Sequence, residues 1–502
     1  MRYPLFAAAL ALSAAPTAHA ETLRQALASA YMTNPELAAN RANVRALDEG
    51  VAQAEALKRP TLSVTAGITE NVNRGLGNFS NGYHSFTGGV NGNLPLFRGG
   101  LIKNSIRAAD SRVDAGRYDL AALENDVLTR ATVAYEDTRQ NAEVVRLDRN
   151  QVRVLQEQQR QARDRFEVGD LTRTDVAQSE ARLATAQSTL RQAQATLVSS
   201  EQAYARVIGH APVDLQPPPP LGEIPAISSQ SVSLALNNNP NLLAARATEG
   251  ATRYDIGTAR AARRPTLAAT GGVNYLNYLG TANAAAGVSS TNLAPGFNLA
   301  NDQTAQSVGL TITIPLFQGG LISSRVRQAQ ALRSQAGANI TATERQVTEL
   351  ARNAFEGLIA SRAVIVSAES AVRANELALE GVRAENGVGL RTIIEVLNAE
   401  QELLNSRADL VRARRNEYVA GFNLLAALGR ANVEDLAIEV ARYDPTVNAR
   451  RVRGIWRDWQ TDRVERQDAF TLPPKQSANA APLGAPGTAT QPPAPVPTTT
   501  KP

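Results

Sequence analysis

One long stretch occurs twice in this chain, and that duplication limits what it can fold into more than any other feature. The first copy runs from Leu94-Pro95-Leu96-Phe97 through Gly99-Gly100-Leu101-Ile102 to Gly209. The second runs from Ile314-Pro315-Leu316-Phe317 through Gly319-Gly320-Leu321-Ile322 to Gly429. Landmarks keep an offset of 220 residues, so that Pro95 matches Pro315, Val168-Gly169 matches Val388-Gly389, Val176 matches Val396 and Glu180 matches Glu400. No insertion is needed along the whole stretch. Each copy is therefore an element of fixed geometry rather than a loop-rich catalytic domain. Upstream the similarity continues at an offset of 205, with Asn34-Pro35 and Arg59-Pro60 returning as Asn239-Pro240 and Arg264-Pro265. A proline pushes the preceding residue out of the α region, so each Asn-Pro predicts a helix break. The duplication thus starts near Leu23 and Ser233, and the longer Gly280–Asn301 loop accounts for the change in offset.

Within each copy the hydrophobic period changes. Leu62, Val64, Ala66 and Ile68 alternate with Thr61, Ser63, Thr65 and Gly67, and Val308, Leu310, Ile312 and Ile314 alternate with Ser307, Gly309, Thr311 and Thr313. These patterns predict strands at about 61–73, 83–95, 265–279 and 304–315, with Pro95 and Pro315 at strand ends. The lengths suit a tilted strand crossing a bilayer with apolar side chains towards lipid. Alternation alone fits a half-buried soluble hairpin equally well.

Beyond the Gly-Gly corners the period becomes seven. Ile106, Val113, Leu120, Val127 and Ala134 form one seam, which jumps eleven residues to Val145 and resumes at Val152. Ile340, Val347 and Ala354, then Ile365, Val372 and Leu379, repeat the jump. Sevens give a left-handed supercoil and the eleven-residue step locally unwinds it. The rods turn at Glu167–Thr172 and Asn386–Thr392, and sevens resume at Val176, Leu183, Leu190, Leu197 and Tyr204 and at Val396, Leu403 and Leu410. Each copy is thus read as two strands followed by an antiparallel coiled-coil hairpin, at 99–209 and 319–429. The first repeat spans 21–210, an inter-repeat linker 211–230, the second repeat 231–429, a C-terminal segment 430–470 and a Pro-rich tail 471–502, expected to be disordered.

The N-terminus has the order of a secretory signal: Arg2, an apolar run from Leu5 to Ala15, and Ala18-His19-Ala20 before a mature Glu21. Nothing else approaches the roughly 20 apolar residues of a membrane helix, so if the chain spans a membrane it does so as a β-barrel. There is no Cys, which excludes a disulfide, a thiolate metal site and a lipid-accepting Cys after the signal. A formal charge of +5 over 502 residues gives no reason to expect nucleic acid as a partner. No catalytic constellation, metal-ligand spacing or phosphate cradle is found around His84, His210 or Gly387-x-Gly389, so no enzyme activity and no cofactor is expected.

The signal, the tandem halves, the Pro-Leu-Phe-x-Gly-Gly corners and the Val-Gly-x-x-Thr turns resemble the TolC family of outer-membrane efflux and secretion channels, over about Glu21 to Gly429. The resemblance implies a mainly α fold with a transmembrane β part. Long coiled-coil helices would form a periplasmic α-barrel, and four strands per chain would contribute to a twelve-stranded barrel in a homotrimer. The 211–230 and 430–470 segments would lie as a belt around the tube. It further implies a Gram-negative outer-membrane location, contact with outer-membrane lipid, a periplasmic adaptor (membrane fusion) protein and an inner-membrane ABC or proton-driven pump. The missing Cys and the long C-terminal extension favour the branch serving type I protein secretion over drug efflux. A periplasmic coiled-coil scaffold is the alternative from another class, and it differs in burying Leu62–Ile68 and Val308–Ile314 in protein. Carried over position by position, the resemblance puts a periplasmic gate latch at Thr174, Asp175 and Arg391, with Arg391 donating to Asp175. A lumen constriction falls at Glu395 and Asn398, and adaptor-docking turns fall at Gly169, Leu171 and Thr172 and at Gly389, Leu390 and Thr392. Asn386 stands where the family's latch has Tyr.

Overall fold

A computed structural model of the chain describes residues 20–70, 84–280 and 300–462. The expected signal peptide with His19, the end of the first predicted strand at 71–73, most of the Gly280–Asn301 loop and the 471–502 tail lie outside the described residues. Helix α1 (Leu23–Thr33) and helix α2 (Pro35–Ala56) are separated by Asn34 alone. That residue is extended, at φ −66° and ψ 122°, because Pro35 follows it, and its carboxamide accepts from the amides of Glu36 and Leu37 to cap α2. The break recurs at Asn239 (φ −64°, ψ 120°) between α5 (Ser228–Asn238) and α6 (Pro240–Ala261). Each asparagine also ties its repeat's start to its end. Asn34 Nδ2 donates to the Val207 carbonyl at 3.4 Å and Asn239 Nδ2 to the Ala427 carbonyl at 3.1 Å.

Helix α3 (Leu101–Glu167) returns as α4 (Arg173–Ile208), and α7 (Leu321–Gly387) returns as α8 (Ile393–Ala427). Both outgoing helices have 67 residues, roughly 100 Å at 1.5 Å per residue. They start after left-handed glycines, Gly100 (φ 90°) and Gly320 (φ 84°). The seam read from the sequence is buried along α3: Val113, Leu120, Val127 and Ala134, then Val145 and Val152 after the eleven-residue step. No helix among the described residues is long and apolar enough to cross a membrane.

The strands β1 (Thr61–Glu70), β2 (His84–Arg98), β3 (Thr266–Asn277) and β4 (Asp302–Thr313) form one antiparallel sheet in the order β1-β2-β3-β4. Its register puts like with like. Val64 faces Val90, which faces Val273, while Leu267 faces both Phe97 and Ile312. Paired residues share a face, so Leu62, Val64, Ile68, Leu94, Val308, Leu310 and Ile312 all project on one side, and Val308 is 96% exposed. The opposite side carries Ser63, Thr65, Asn91, Asn93, Thr270, Ser307 and Thr311. Sequence placed the end of β2 at Pro95, but the strand continues to Arg98. An irregularity between Pro95 and Phe97 absorbs the proline, which has no N–H to give, and returns Phe97 to the apolar face.

The largest core joins α1, α2, α3, α4 and α8 through Leu27, Leu128, Tyr135, Tyr204, Ile208 and Phe422, and takes in Ala431, Val433 and Ile438 after the second repeat. The inter-repeat linker is clamped there. Tyr135 Oη donates to the carbonyls of Glu21 (2.9 Å) and Gln216 (2.7 Å), and the Gln216 amide donates to Glu21 O (3.0 Å). Past this core the chain departs from the expected belt. The Tyr443 amide donates to Tyr31 Oη, Asn448 on α9 (Thr446–Arg453) donates to Asp48, and the Ile455 carbonyl accepts from Arg59. These contacts carry residues 443–456 along α2 to the start of β1.

Candidate functional site at the two helical turns

Both turns close in the same way. Gly169 (φ 83°) and Gly389 (φ 80°) adopt the left-handed conformation that L side chains resist, and their amides donate to Phe166 O and Asn386 O at 3.0 Å. Asp170 N then reaches back to Arg165 O and Leu390 N to Glu385 O, both at 2.9 Å. Thr172 and Thr392 cap the return helices. In the first turn Asp175 accepts from Thr172 N (3.0 Å) and Thr172 Oγ1 (2.7 Å); in the second Glu395 accepts from Thr392 N (2.8 Å). The Thr172 hydroxyl, then its amide, hold the Asp175 carboxyl below the ordinary carboxylate range. The Thr392 amide, then Arg391, do the same for Glu395.

The charges across the turns are exchanged. Arg165 precedes the first turn and pairs with Asp170 after it at 2.6 Å. Glu385 precedes the second and accepts from Arg391 Nε after it at 2.7 Å. Arg391 Nη1 also donates to Glu395 at 3.1 Å, and Asn386 Nδ2 donates to the Arg391 carbonyl at 2.7 Å. Within one chain, then, Arg391 is engaged by Glu385 and Glu395, and Asp175 by Thr172; the structure does not bring Arg391 and Asp175 together. Thr174 is exposed beside them. Val168 (79% exposed) and Leu390 (77% exposed) project apolar side chains from the tips, while Leu171 is half-buried.

One and a half turns further along, the two hairpins meet. Asn398 accepts from Arg182 of α4 at 2.7 Å. Leu397, 2% exposed, packs among Val152, Leu155 and Leu183 of the first hairpin. Beside it Glu400 is 3% exposed and accepts from Arg383 at 2.6 Å and from Gln158 of α3. Sequence reasoning missed Arg182, Gln158, Arg383 and the burial of Glu400. The signal available was the recurrence of Arg163 and Glu180 as Arg383 and Glu400, but it says nothing of burial. Among the described residues no group of three or more His, Asp or Glu could hold a metal ion.

Residues 23–210 and 231–430 match the outer membrane efflux protein family. The chain is 32% identical to the outer membrane efflux protein BepC of Brucella suis, covering 91% of this chain and 98% of that one. It is 27% identical to the outer membrane protein TolC of Escherichia coli over 83% of this chain and 84% of that one. Among solved structures, the outer membrane protein VceC of Vibrio cholerae shares the fold, with a TM-score of 0.68 and 22% identity over 81% of this chain and 96% of that one.

Proposed function

From the premise that this chain belongs to the outer membrane efflux protein family, and is an outer-membrane channel rather than an enzyme, we propose that it is the passive exit duct of a tripartite export machine. The carrying observation is the sheet. One face carries exposed apolar side chains from all four strands, among them Leu62, Leu94, Val273 and Val308, the other is lined mainly by Ser, Thr, Asn and Gly, and neither edge, β1 or β4, has a partner strand among the described residues. Unpaired edges are costly in a bilayer, and closure removes them. A homotrimer supplying four strands per chain closes a twelve-stranded barrel. Further support comes from the second repeat. A Cβ on Gly99 would strike the Ala261 carbonyl at 2.7 Å, whereas Gly319 and Gly320 face open space. Helix α3 buries 21 residues within the chain and α7 only eight, which leaves α7 a face for another copy. Purified protein reconstituted into planar bilayers is expected to conduct in uniform steps; purified protein that never conducts overturns the reading and favours the periplasmic scaffold.

The gate is assigned to the turns. Thr174, Asp175 and Arg391 form the latch between neighbouring chains, Arg391 exchanging Glu385 and Glu395 for a neighbour's Asp175 as the tube closes. Arg391→Glu is expected to raise single-channel conductance, and unaltered conductance removes the latch. Glu395 and Asn398 form the lumen constriction, cation-preferring through Glu395; a cation preference unchanged in Glu395→Gln rejects it. The tips, through Gly169, Leu171, Thr172, Gly389, Leu390 and Thr392, dock a periplasmic adaptor hairpin that links the duct to an inner-membrane ABC or proton-driven pump. For cargo we take secreted protein first, in a type I system, because a mature chain without Cys lacks the lipid attachment expected of the drug-efflux branch. Small-molecule efflux is the second reading, favoured by the name of the relative BepC. A deletion strain distinguishes them: secretion predicts a protein missing from the culture medium, efflux predicts sensitivity to toxic compounds.

A further inference from the structure

We propose that the segment from Tyr443 to Trp459 is a membrane-interface clasp, which presents tryptophan and arginine to the phospholipid headgroups at the foot of the strand sheet. The inference rests on the membrane reading of that sheet but concerns residues outside the family match, which ends at 430.

The route of the segment is the first observation. Contacts Tyr443–Tyr31, Asn448–Asp48 and Ile455–Arg59 advance with α2, and Arg453 donates to Asp110 on α3 at 2.6 Å. The segment is thus carried to Arg59, three residues before Leu62, the first outward apolar side chain of β1. At 3.3 Å per residue that separation is about 10 Å. The second observation is what it carries there. The chain has two tryptophans, and both lie in this segment, 66% exposed at Trp456 and 98% exposed at Trp459. Trp456 is held rather than loose. The Arg59 guanidinium stacks 4.5 Å from its ring centroid while donating to the carbonyls of Ile455 (2.9 Å) and Arg453 (3.3 Å). The third is charge. The last turn of α9 holds Arg450, Arg451 and Arg453, Arg457 follows, and Lys58 is half exposed beside Arg59. The foot of β2 repeats the combination, with Leu96 and Phe97 about half exposed in a hollow shared with Arg98, Lys103 and Arg107.

Indole prefers the boundary where its ring meets acyl chain and its N–H meets water, and cations near it meet phosphate. A neighbouring copy of the chain is the rival occupant, but the indoles lie at the level where the outward apolar side chains of β1 begin, which on the membrane reading is the bilayer boundary; Arg450, Arg453 and Lys58 pair with Asp444, Asp110 and Glu55 and still keep about half or more of their side chains exposed to meet phosphate. The clasp also gives a chain that lacks a lipid-accepting Cys a second hold on the membrane, beside its barrel.

The test uses the full-length protein in phosphatidylethanolamine–phosphatidylglycerol vesicles whose acyl chains are brominated at shallow or deep positions. All tryptophan emission comes from the clasp. Shallow bromine is expected to quench most of it and deep bromine little, and Trp456→Phe and Trp459→Phe should each remove part of the quenched signal. Emission untouched by bromine at any depth overturns the proposal; if that emission is also blue-shifted, a second copy covers the indoles. Conductance is read on the same vesicles, so failure of the duct and failure of the clasp are separate results.

Discussion

The same ion pair occurs in both repeats and does different work in each. Arg163 donates to Glu180 and Arg383 donates to Glu400, each at 2.6 Å and each joining the two arms of a hairpin. The Glu180 side chain is 45% exposed and Glu400 is 3% exposed. Water screens and replaces the first bond; the second carboxylate has left water, so its partners become obligatory. The difference is set by the neighbour. Glu400 sits where the second hairpin leans on the first and takes Gln158 as a further donor, while Glu180 lies on an open flank. Equal sequence thus produces unequal energetics once one copy is packed and the other is not. A trimer in which another chain covers the open flank would erase part of that inequality.

Four measurements break or sharpen this contrast, by urea denaturation of the detergent-solubilised protein unless stated. The largest effect is expected at Leu397, whose truncation to Ala opens a cavity among Val152, Leu155 and Leu183 and should cost about 2–5 kcal/mol. Its counterpart Ala177 is exposed, and Ala177→Leu should leave the midpoint unmoved. Next, Glu400→Gln keeps the shape but loses the charge facing Arg383, an expected loss of about 1.5–3 kcal/mol, whereas Glu180→Gln should be silent. Equal losses at the two sites would mean that the assembly buries both. Smaller still, Gly169→Ala and Gly389→Ala each force a side chain into the left-handed region and should cost about 1 kcal/mol apiece. Here the copies are expected to agree, since both turns face open space. The smallest effect is acid sensitivity at the tips. The capping carboxyls of Asp175 and Glu395 have depressed pKa values, so their contribution is fully present above the ordinary carboxylate range, about pH 4, and is lost as pH falls through the depressed values. Amide-exchange protection at Thr172 and Thr392, corrected for intrinsic rates, should fall only there. Asp175→Asn should remove the dependence in the first turn and leave it in the second.

Most of the fold was legible because its determinants are local and periodic. The Asn-Pro breaks, the alternation in β1 and β4, and the sevens with their eleven-residue step are each fixed within a few turns of chain. What escaped was decided by distant partners. Pro95 reads as a stop, but β3 supplies pairing that carries β2 past it. The turns are a separate case: within one chain Arg391 and Asp175 take partners from their own turns, Glu385 and Thr172, so the proposed latch would have to join neighbouring chains. The route of residues 443–456 was invisible because Tyr31, Asp48 and Arg59 lie some 400 positions away in sequence. The candidate turns themselves were found from Val-Gly-x-x-Thr, which names the backbone geometry but not the exchanged charges around it.

The asparagines at the two helix breaks have a mechanical consequence. Asn34 and Asn239 each fasten the beginning of a repeat to its own end, at Val207 and Ala427, so that each repeat is a closed circuit with its strands as the far loop. Length added between β3 and β4 is added within the second circuit, at the end far from its fastening. It adds residues without shifting the phase of any coiled-coil seam. The second repeat already carries such an excess there and keeps its helices in step with the first, residue for residue, from Pro315 to Gly429. That connection is therefore where length can vary, or be inserted by design, while the helices of both repeats stay in register.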